Sequence, residues 1–153
     1  MGIEIERKFL VVGDFRTGRS VPFKQGYLSR DPARTVRVRI AGDQAWLTVK
    51  SLTNDTTRQE YEYEIPVGDA EEMLALCDGP LIEKYRWFID FAGMVWEVDE
   101  FLGDNSGLIV AEIELDSDDQ PFEKPPWLGE EVTGDRRYHN SSLVKTPFKD
   151  WPQ

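Results

Sequence analysis

Ionisable residues recur at alternate positions in seven separate segments of this 153-residue chain: Glu4, Glu6 and Lys8; Arg37 and Arg39; Lys50; Glu60, Glu62 and Glu64; Lys84 and Arg86; Glu97 and Asp99; Glu112 and Glu114. A period of two places each set on one face of a pleated strand. The signs also separate, with the segments near positions 4, 60, 97 and 112 chiefly acidic and those near 37, 50 and 84 basic. An exposed face ordinarily mixes charge with Thr, Ser, Asn and Gln, and like charges crowded on one strand repel unless something opposes them. Gathered in an enclosed lumen, acidic and basic strands offset one another. The result is a site with carboxylates for a metal ion and cations for a phosphate.

Eight strands are expected, and seven of them carry these faces. Residues 2–12 set Ile3, Ile5, Phe9 and Val11 opposite the charges, with Arg7 the one charge on the apolar side. Residues 23–29 read as a second strand, 35–41 and 45–50 as a hairpin about Gly42 and Asp43, and 60–65 as a strand ended by Pro66. Residues 81–91 and 95–101 flank a turn at Ala92 and Gly93, and 108–115 form the eighth strand. Helical spacing of Ala70, Met73, Leu74 and Cys77 predicts a short helix over 69–77 with Asp69 as its cap. Further short helices are expected at 117–120 and 138–144. Because the faces opposite the charges are rich in Tyr, Trp, Val and Ile, the pattern predicts an α+β, mainly β fold: a closed eight-stranded antiparallel barrel with a charged lumen and short helices packed outside. An open sheet with one solvated face is the alternative. No repeat or long linker divides the chain, so residues 1–153 are expected to form one domain.

Composition narrows the classes. With 40% hydrophobic and 31% charged residues the chain reads as an ordinary globular protein, and a net charge of −11 argues against a nucleic-acid-binding surface. No apolar run is long enough to span a membrane, and the expected location is the cytoplasm. Cys77, the single cysteine, excludes an internal disulfide and reads as a buried helical thiol.

The charged pairs belong to a longer series in fixed order: Glu4-x-Glu6-x-Lys8, Gln25-Gly26-Tyr27-Leu28, Thr35-x-Arg37-x-Arg39, Thr48-x-Lys50, Glu60-x-Glu62-x-Glu64, Glu83-Lys84-x-Arg86, Glu97-x-Asp99, Glu112-x-Glu114, and Glu131-Val132-Thr133 leading to Asp135-x-Arg137-Tyr138-x-Asn140. This set resembles the CYTH superfamily, the triphosphate tunnel metalloenzymes, over nearly the whole chain. The resemblance implies an eight-stranded tunnel that binds a triphosphate with divalent metal. The short chain looks most like the small bacterial tripolyphosphatases, which split the terminal phosphoanhydride of inorganic tripolyphosphate to give diphosphate and phosphate. Other readings are an organic triphosphate substrate (a thiamine triphosphatase, a nucleoside triphosphatase or a class IV adenylyl cyclase) and a polyphosphate-binding module without turnover.

Matched to those motifs, Lys8, Arg37, Arg39, Lys50, Lys84, Arg86 and Arg137 are the expected substrate-binding cations; Arg grips phosphate oxygens with two donors and Lys adds a point charge. Glu4, Glu6, Glu112 and Glu114, with Asp99 as a further candidate, are the expected ligands of Mg²⁺ or Mn²⁺. Glu60 or Glu62 is expected to orient or deprotonate the attacking water, and Lys84 joins them as a catalytic group through the charge it stabilises on the leaving diphosphate. His139 reads as a surface helix residue, and Tyr27, Trp46 and Trp87 as packing. Nine carboxylates against six cations on the strand faces predict an empty lumen that repels triphosphate until a divalent ion binds. The chain is compatible with a homodimer.

Overall fold

Each of eight strands finds a hydrogen-bonded neighbour on both edges, so the sheet closes on itself. In the computed structural model, which describes residues 2–54 and 56–152, these are β1 (Gly2–Val11), β2 (Arg19–Ser29), β3 (Thr35–Ala41), β4 (Gln44–Leu52), β5 (Thr57–Ile65), β6 (Ile82–Phe91), β7 (Met94–Phe101) and β8 (Ile109–Leu115). All pairings are antiparallel. The order is β5-β4-β3-β2-β6-β7-β8-β1, and β1 closes against β5 with Glu4 opposite Arg58. Closure leaves no long free edge for pairing with another chain.

The barrel carries one strand more than expected. β9 (Leu128–Glu131) pairs with the second half of β1, placing Phe9 opposite Glu131 and Val11 opposite Leu128. Arg7 explains its attachment. Pointing outward among apolar neighbours, it donates from Nε and Nη2 to the two carboxylate oxygens of Glu131 at 2.8 and 2.6 Å and lies over the Phe122 ring at 5.0 Å. Such a bidentate pair fixes geometry as well as charge.

The apolar faces look outward and are covered in three places. Phe9, Trp96, Val98 and Ile113 are buried under the tail residues Phe122 and Trp127, with edge-to-face contacts of 5.7–6.0 Å among the rings. Leu108, Val110 and Ile82 lie beneath Val132, Tyr138, Leu143 and Val144. The helix α1 (Val67–Leu76) packs Ala70 and Leu74 on Val38 of β3 and Ala45 of β4. Ile3, Tyr63 and Val95 stay exposed.

Local departures from the sequence reading have local causes. β2 begins four residues earlier than expected and contains Pro22, which is tolerated because pairing with β3 starts only at Phe23. Residues 117–120 form turns rather than a helix: the Gln120 side chain accepts from Asp116 N at 2.6 Å and Ser117 Oγ donates to Asp119 at 2.9 Å, so side chains compete for the backbone. The last expected helix divides into a 3₁₀ turn, Arg136–Tyr138, and α2 (Asn140–Lys145). No described helix is long and apolar enough to cross a membrane.

Candidate active site

The strand period sends the charged faces inward, where they line a cavity of about 420 Å³. Eight Lys or Arg and seven Glu side chains face it. Their distribution follows the strand order around the barrel. Arg19, Arg37, Arg39, Lys50, Lys84 and Arg86 come from β2, β3, β4 and β6, four adjacent strands; Glu4, Glu6, Glu60, Glu62, Glu97, Glu112 and Glu114 come from β7, β8, β1 and β5, the other four. The lumen therefore has a positive half facing a negative half. Lys8 on β1 and Arg58 on β5 are the two cations on the acidic side.

On the positive half, Phe23 separates charges that would otherwise repel. The Arg39 and Arg86 guanidiniums lie 4.7 and 4.8 Å from its ring centre and the Lys84 ammonium 5.9 Å. Arg39 donates through Nε to Gln25 Oε1 at 2.9 Å and has no carboxylate in bridging range among the described residues. Burial, with Arg37 and Arg86 nearby, pulls its guanidinium down to about 9. Arg37 donates to Thr48 Oγ1 at 3.2 Å and lies 3.6 Å from Glu62, yet its Nε is buried without a partner. Arg39 thus brings to the cavity lining a charge that no carboxylate offsets and that an anion in the cavity would balance.

Lys84 and Arg86 share one acid. Asp99 accepts from Lys84 Nζ at 2.7 Å and from Arg86 Nε and Nη2 at 2.8 and 3.0 Å. Burial pushes its carboxyl up, but the two cations outweigh this and hold it well below the ordinary carboxylate range. Burial, reinforced by Arg86 and Arg39, draws the Lys84 ammonium down. Asp99 is thus the fixed anion of the group. With both oxygens engaged and 1% exposure it lies behind the cavity wall, away from the other expected metal ligands; Glu97, two residues earlier, reaches the lumen instead and bridges Arg86 at 3.3 Å.

On the negative half the carboxylates crowd. Strand register sets Glu6 opposite Glu114 and Glu112 opposite Lys8, with Lys8 Nζ 3.7 Å from Glu112. Lys50 reaches across from β4 to Glu4 at 2.9 Å and Glu60 at 3.3 Å. Burial and Glu4 raise the Glu6 carboxyl, but Lys8, Lys50 and Arg58 together bring it below its ordinary value. Glu114 has no such relief: burial and then Glu4, Glu60, Glu97 and Glu6 push it up to about 7. Among the described residues no three of these acids lie close enough to enclose an ion alone, but as hard oxygen donors they suit Mg²⁺ or Mn²⁺ that completes its shell with water or phosphate oxygens.

The chain segment entering α2 closes on the cavity. Asn140 Oδ1 accepts from Lys84 at 2.8 Å and from Gln25 at 3.0 Å, and His139 lies against Arg58. His139 is half-buried rather than on the surface; burial, then Lys8, Arg58 and Arg136, lowers it to about 3. Arg137, expected to reach in, does not: its side chain is 62% exposed and pairs with Asp135 at 2.7 Å. Trp46 and Tyr27 line the cavity, whereas Trp87 packs against Phe15 outside it.

The structure therefore brings Glu4, Glu6, Lys8, Arg37, Arg39, Lys50, Glu60, Glu62, Lys84, Arg86, Glu112 and Glu114 to one cavity, and leaves Asp99 and Arg137 outside it. It adds Arg19, Arg58, Glu97, Gln25, His139 and Asn140. The expected excess of acid is not found. Glu64 is exposed outside the cavity, Asp99 is sealed behind it, and Arg19 and Arg58 bring the lining close to charge balance.

Residues 2–147 match the family described as CYTH domain. The chain is similar to an inorganic triphosphatase of Acetivibrio thermocellus, with 52% identity over 156 residues covering 100% of both chains. It is also similar to an inorganic triphosphatase of Nitrosomonas europaea, with 41% identity over 92% of this chain and 96% of that one. Among solved structures, the crystal structure of the inorganic triphosphatase NE1496 superposes with a TM-score of 0.68 at 39% identity, covering 94% of this chain and 95% of the other.

Proposed function

Starting from a chain that belongs to the CYTH domain family, a family of metal-dependent triphosphate tunnel enzymes, we propose that this protein is a divalent-metal-dependent hydrolase of inorganic tripolyphosphate. It releases diphosphate and phosphate, acting in the cytoplasm as one domain over residues 1–153. The observation that carries this reading is the division of the lumen into a positive and a negative half, with the buried Arg37 Nε lacking a partner and Arg39 lacking a counter-ion.

Arg37, Arg39, Lys50, Lys84 and Arg86 grip the phosphate oxygens from the positive side, and Lys8 does so from the other. Glu4, Glu6, Glu112 and Glu114 fit a hard cation, because oxygen donors crowded to the point of raising Glu114 gain from any positive charge placed among them. When bound, Mg²⁺ or Mn²⁺ supplies charge neutralisation to the phosphates. In the reaction a water oxygen bonds to the terminal phosphorus while the bond from that phosphorus to the bridging oxygen breaks, and the electron pair leaves with diphosphate. Glu62, anchored by the Thr48 hydroxyl at 2.9 Å, or Glu60 holds the water and receives its proton; Lys84 and Arg86 stabilise the charge gathering on the leaving group.

Phosphate release from tripolyphosphate, thiamine triphosphate, ATP and long-chain polyphosphate, each with Mg²⁺, Mn²⁺ or chelator, tests the proposal. Tripolyphosphate with metal is expected to give the highest kcat/KM. Equal or faster turnover of ATP would overturn the choice of substrate, and full activity in chelator would overturn the metal.

A further inference from the structure

Of the two cations on the acidic half, Lys8 faces Glu112. Arg58 has no carboxylate in bridging range among the described residues, although Glu4 is its direct cross-strand neighbour. Its Nη2 instead lies 3.3 Å from His139 Nε2. A guanidinium can only donate, so this contact makes Nε2 the acceptor and puts the imidazole proton on Nδ1. Arg39 is held the same way, by the neutral Gln25 oxygen. In both cases a neutral acceptor fixes the direction of the guanidinium and leaves its charge uncancelled. Salt bridges hold most of the other lining cations, and an incoming anion must compete with those carboxylates.

We propose that Arg58 is a further phosphate-binding residue of the tunnel, and that His139 is the positioning residue that holds it toward the cavity at the α2 end. The inference rests on the triphosphate reading above. It has a geometric consequence. With Lys8 and Arg58 on the acidic half, the polyanion is gripped from both sides of the lumen rather than laid along one wall. A carboxylate at position 139 would anchor Arg58 as firmly but neutralise it. An apolar residue there would leave the guanidinium free to swing to Glu4.

Steady-state phosphate release and calorimetric titration with tripolyphosphate, on the full chain with Mg²⁺, test this in Arg58→Ala, His139→Phe, His139→Gln and the double variant Arg58→Ala/His139→Phe. Losing one charge-assisted contact is worth about tenfold or more in binding, so Arg58→Ala is expected to raise KM by that factor and to weaken equilibrium binding in parallel. His139→Phe is expected to raise KM several-fold with a smaller effect on kcat. His139→Gln, whose amide oxygen can still accept from Arg58, is expected to stay within about twofold of wild type. The double variant should be no worse than Arg58→Ala alone, since His139 acts through Arg58. Should Arg58→Ala fail to fold, Arg58→Gln, which keeps the donor and removes the charge, carries the same expectation. A folded Arg58 variant with wild-type KM, or effects of the two substitutions that multiply, would overturn this inference alone. Absence of tripolyphosphate turnover in the wild-type chain would instead overturn the function on which it rests.

Discussion

Glu114 is buried within the electrostatic reach of four other carboxylates, and its raised proton affinity has a sign that can be measured. An ordinary glutamate titrates near 4.5, whereas burial and then Glu4, Glu60, Glu97 and Glu6 bring this one to about 7 in the folded chain. A folded-state value above the unfolded one means that the contribution to stability is fully present below about 4.5 and is lost as pH rises through about 7. Above that range the charged side chain destabilises the metal-free fold. In chelator, Glu114→Gln is therefore expected to have a higher Tm than wild type at pH 8, the gap closing as pH falls toward 4.5. With Mn²⁺ present the order should reverse, because the variant has lost a candidate ligand. A Tm gap independent of pH in chelator would remove the crowding argument. Residues of this kind were legible in the sequence because period-two spacing fixes their face. Arg58 and His139 were not. Arg58 continues the alternation of Glu60 and Glu62, but the polar residues before it gave no sign that β5 begins at Thr57 rather than at residue 60, and His139 turns inward because a 3₁₀ turn precedes α2.

At the scale of elements, Asp99 joins β6 to β7, since it is the one acid on which both Lys84 and Arg86 converge. Removing a single partner from a buried ion cluster leaves uncompensated charge and costs about 3–5 kcal/mol. Asp99→Asn is expected to lower stability to denaturant by that order while leaving Mn²⁺ affinity unchanged, as the carboxylate lies behind the cavity wall. A large loss of metal affinity in a folded Asp99→Asn protein would return it to the ligand set. Gly26 on β2 has a second packing role. A Cβ there would come within 2.7 Å of Leu81 and 2.8 Å of Cys77 Sγ. Gly26→Ala is expected to destabilise the barrel by about 1–3 kcal/mol through overpacking, read as a lower Tm. Most strands were legible because each alternates under its own turn signals. β9 was not, since Leu-Gly-Glu-Glu has no alternation and owes its place to the free half-edge of β1 and the Arg7–Glu131 clamp. The helix expected at 117–120 failed for the opposite reason, as local side-chain hydrogen bonds outweighed helical ones.

The arrangement of the whole barrel adds what no single strand contains. Sequence showed which strands were acidic and which basic, but their adjacency in two blocks of four depends on β2 lying between β3 and β6, a long-range pairing that no local pattern encodes. That adjacency changes the electrostatic expectation from uniform repulsion to a lumen close to balance but strongly polarised. A triphosphate drawn to the positive half still faces seven glutamates across the cavity. Among the described residues no three acidic, His or Cys groups converge closely enough to hold a metal ion by themselves. A divalent ion on the acidic half must therefore complete its coordination with water or with phosphate oxygens, as Mg²⁺ commonly does. Each ligand then supplies part of the other's site, and their affinities must be coupled with the same factor in both directions. Couplings of this kind are typically about 5–150-fold. Titrating triphosphate into the chain in chelator and again with saturating Mg²⁺, beside the reciprocal titration of Mn²⁺ with and without a non-hydrolysable triphosphate, should give matching factors in that range. The factor should shrink as pH falls through about 7, because Glu114 then takes a proton and competes with the metal. Equal dissociation constants with and without metal would mean that the positive half binds the polyanion alone, and that the acidic half acts only in the chemical step.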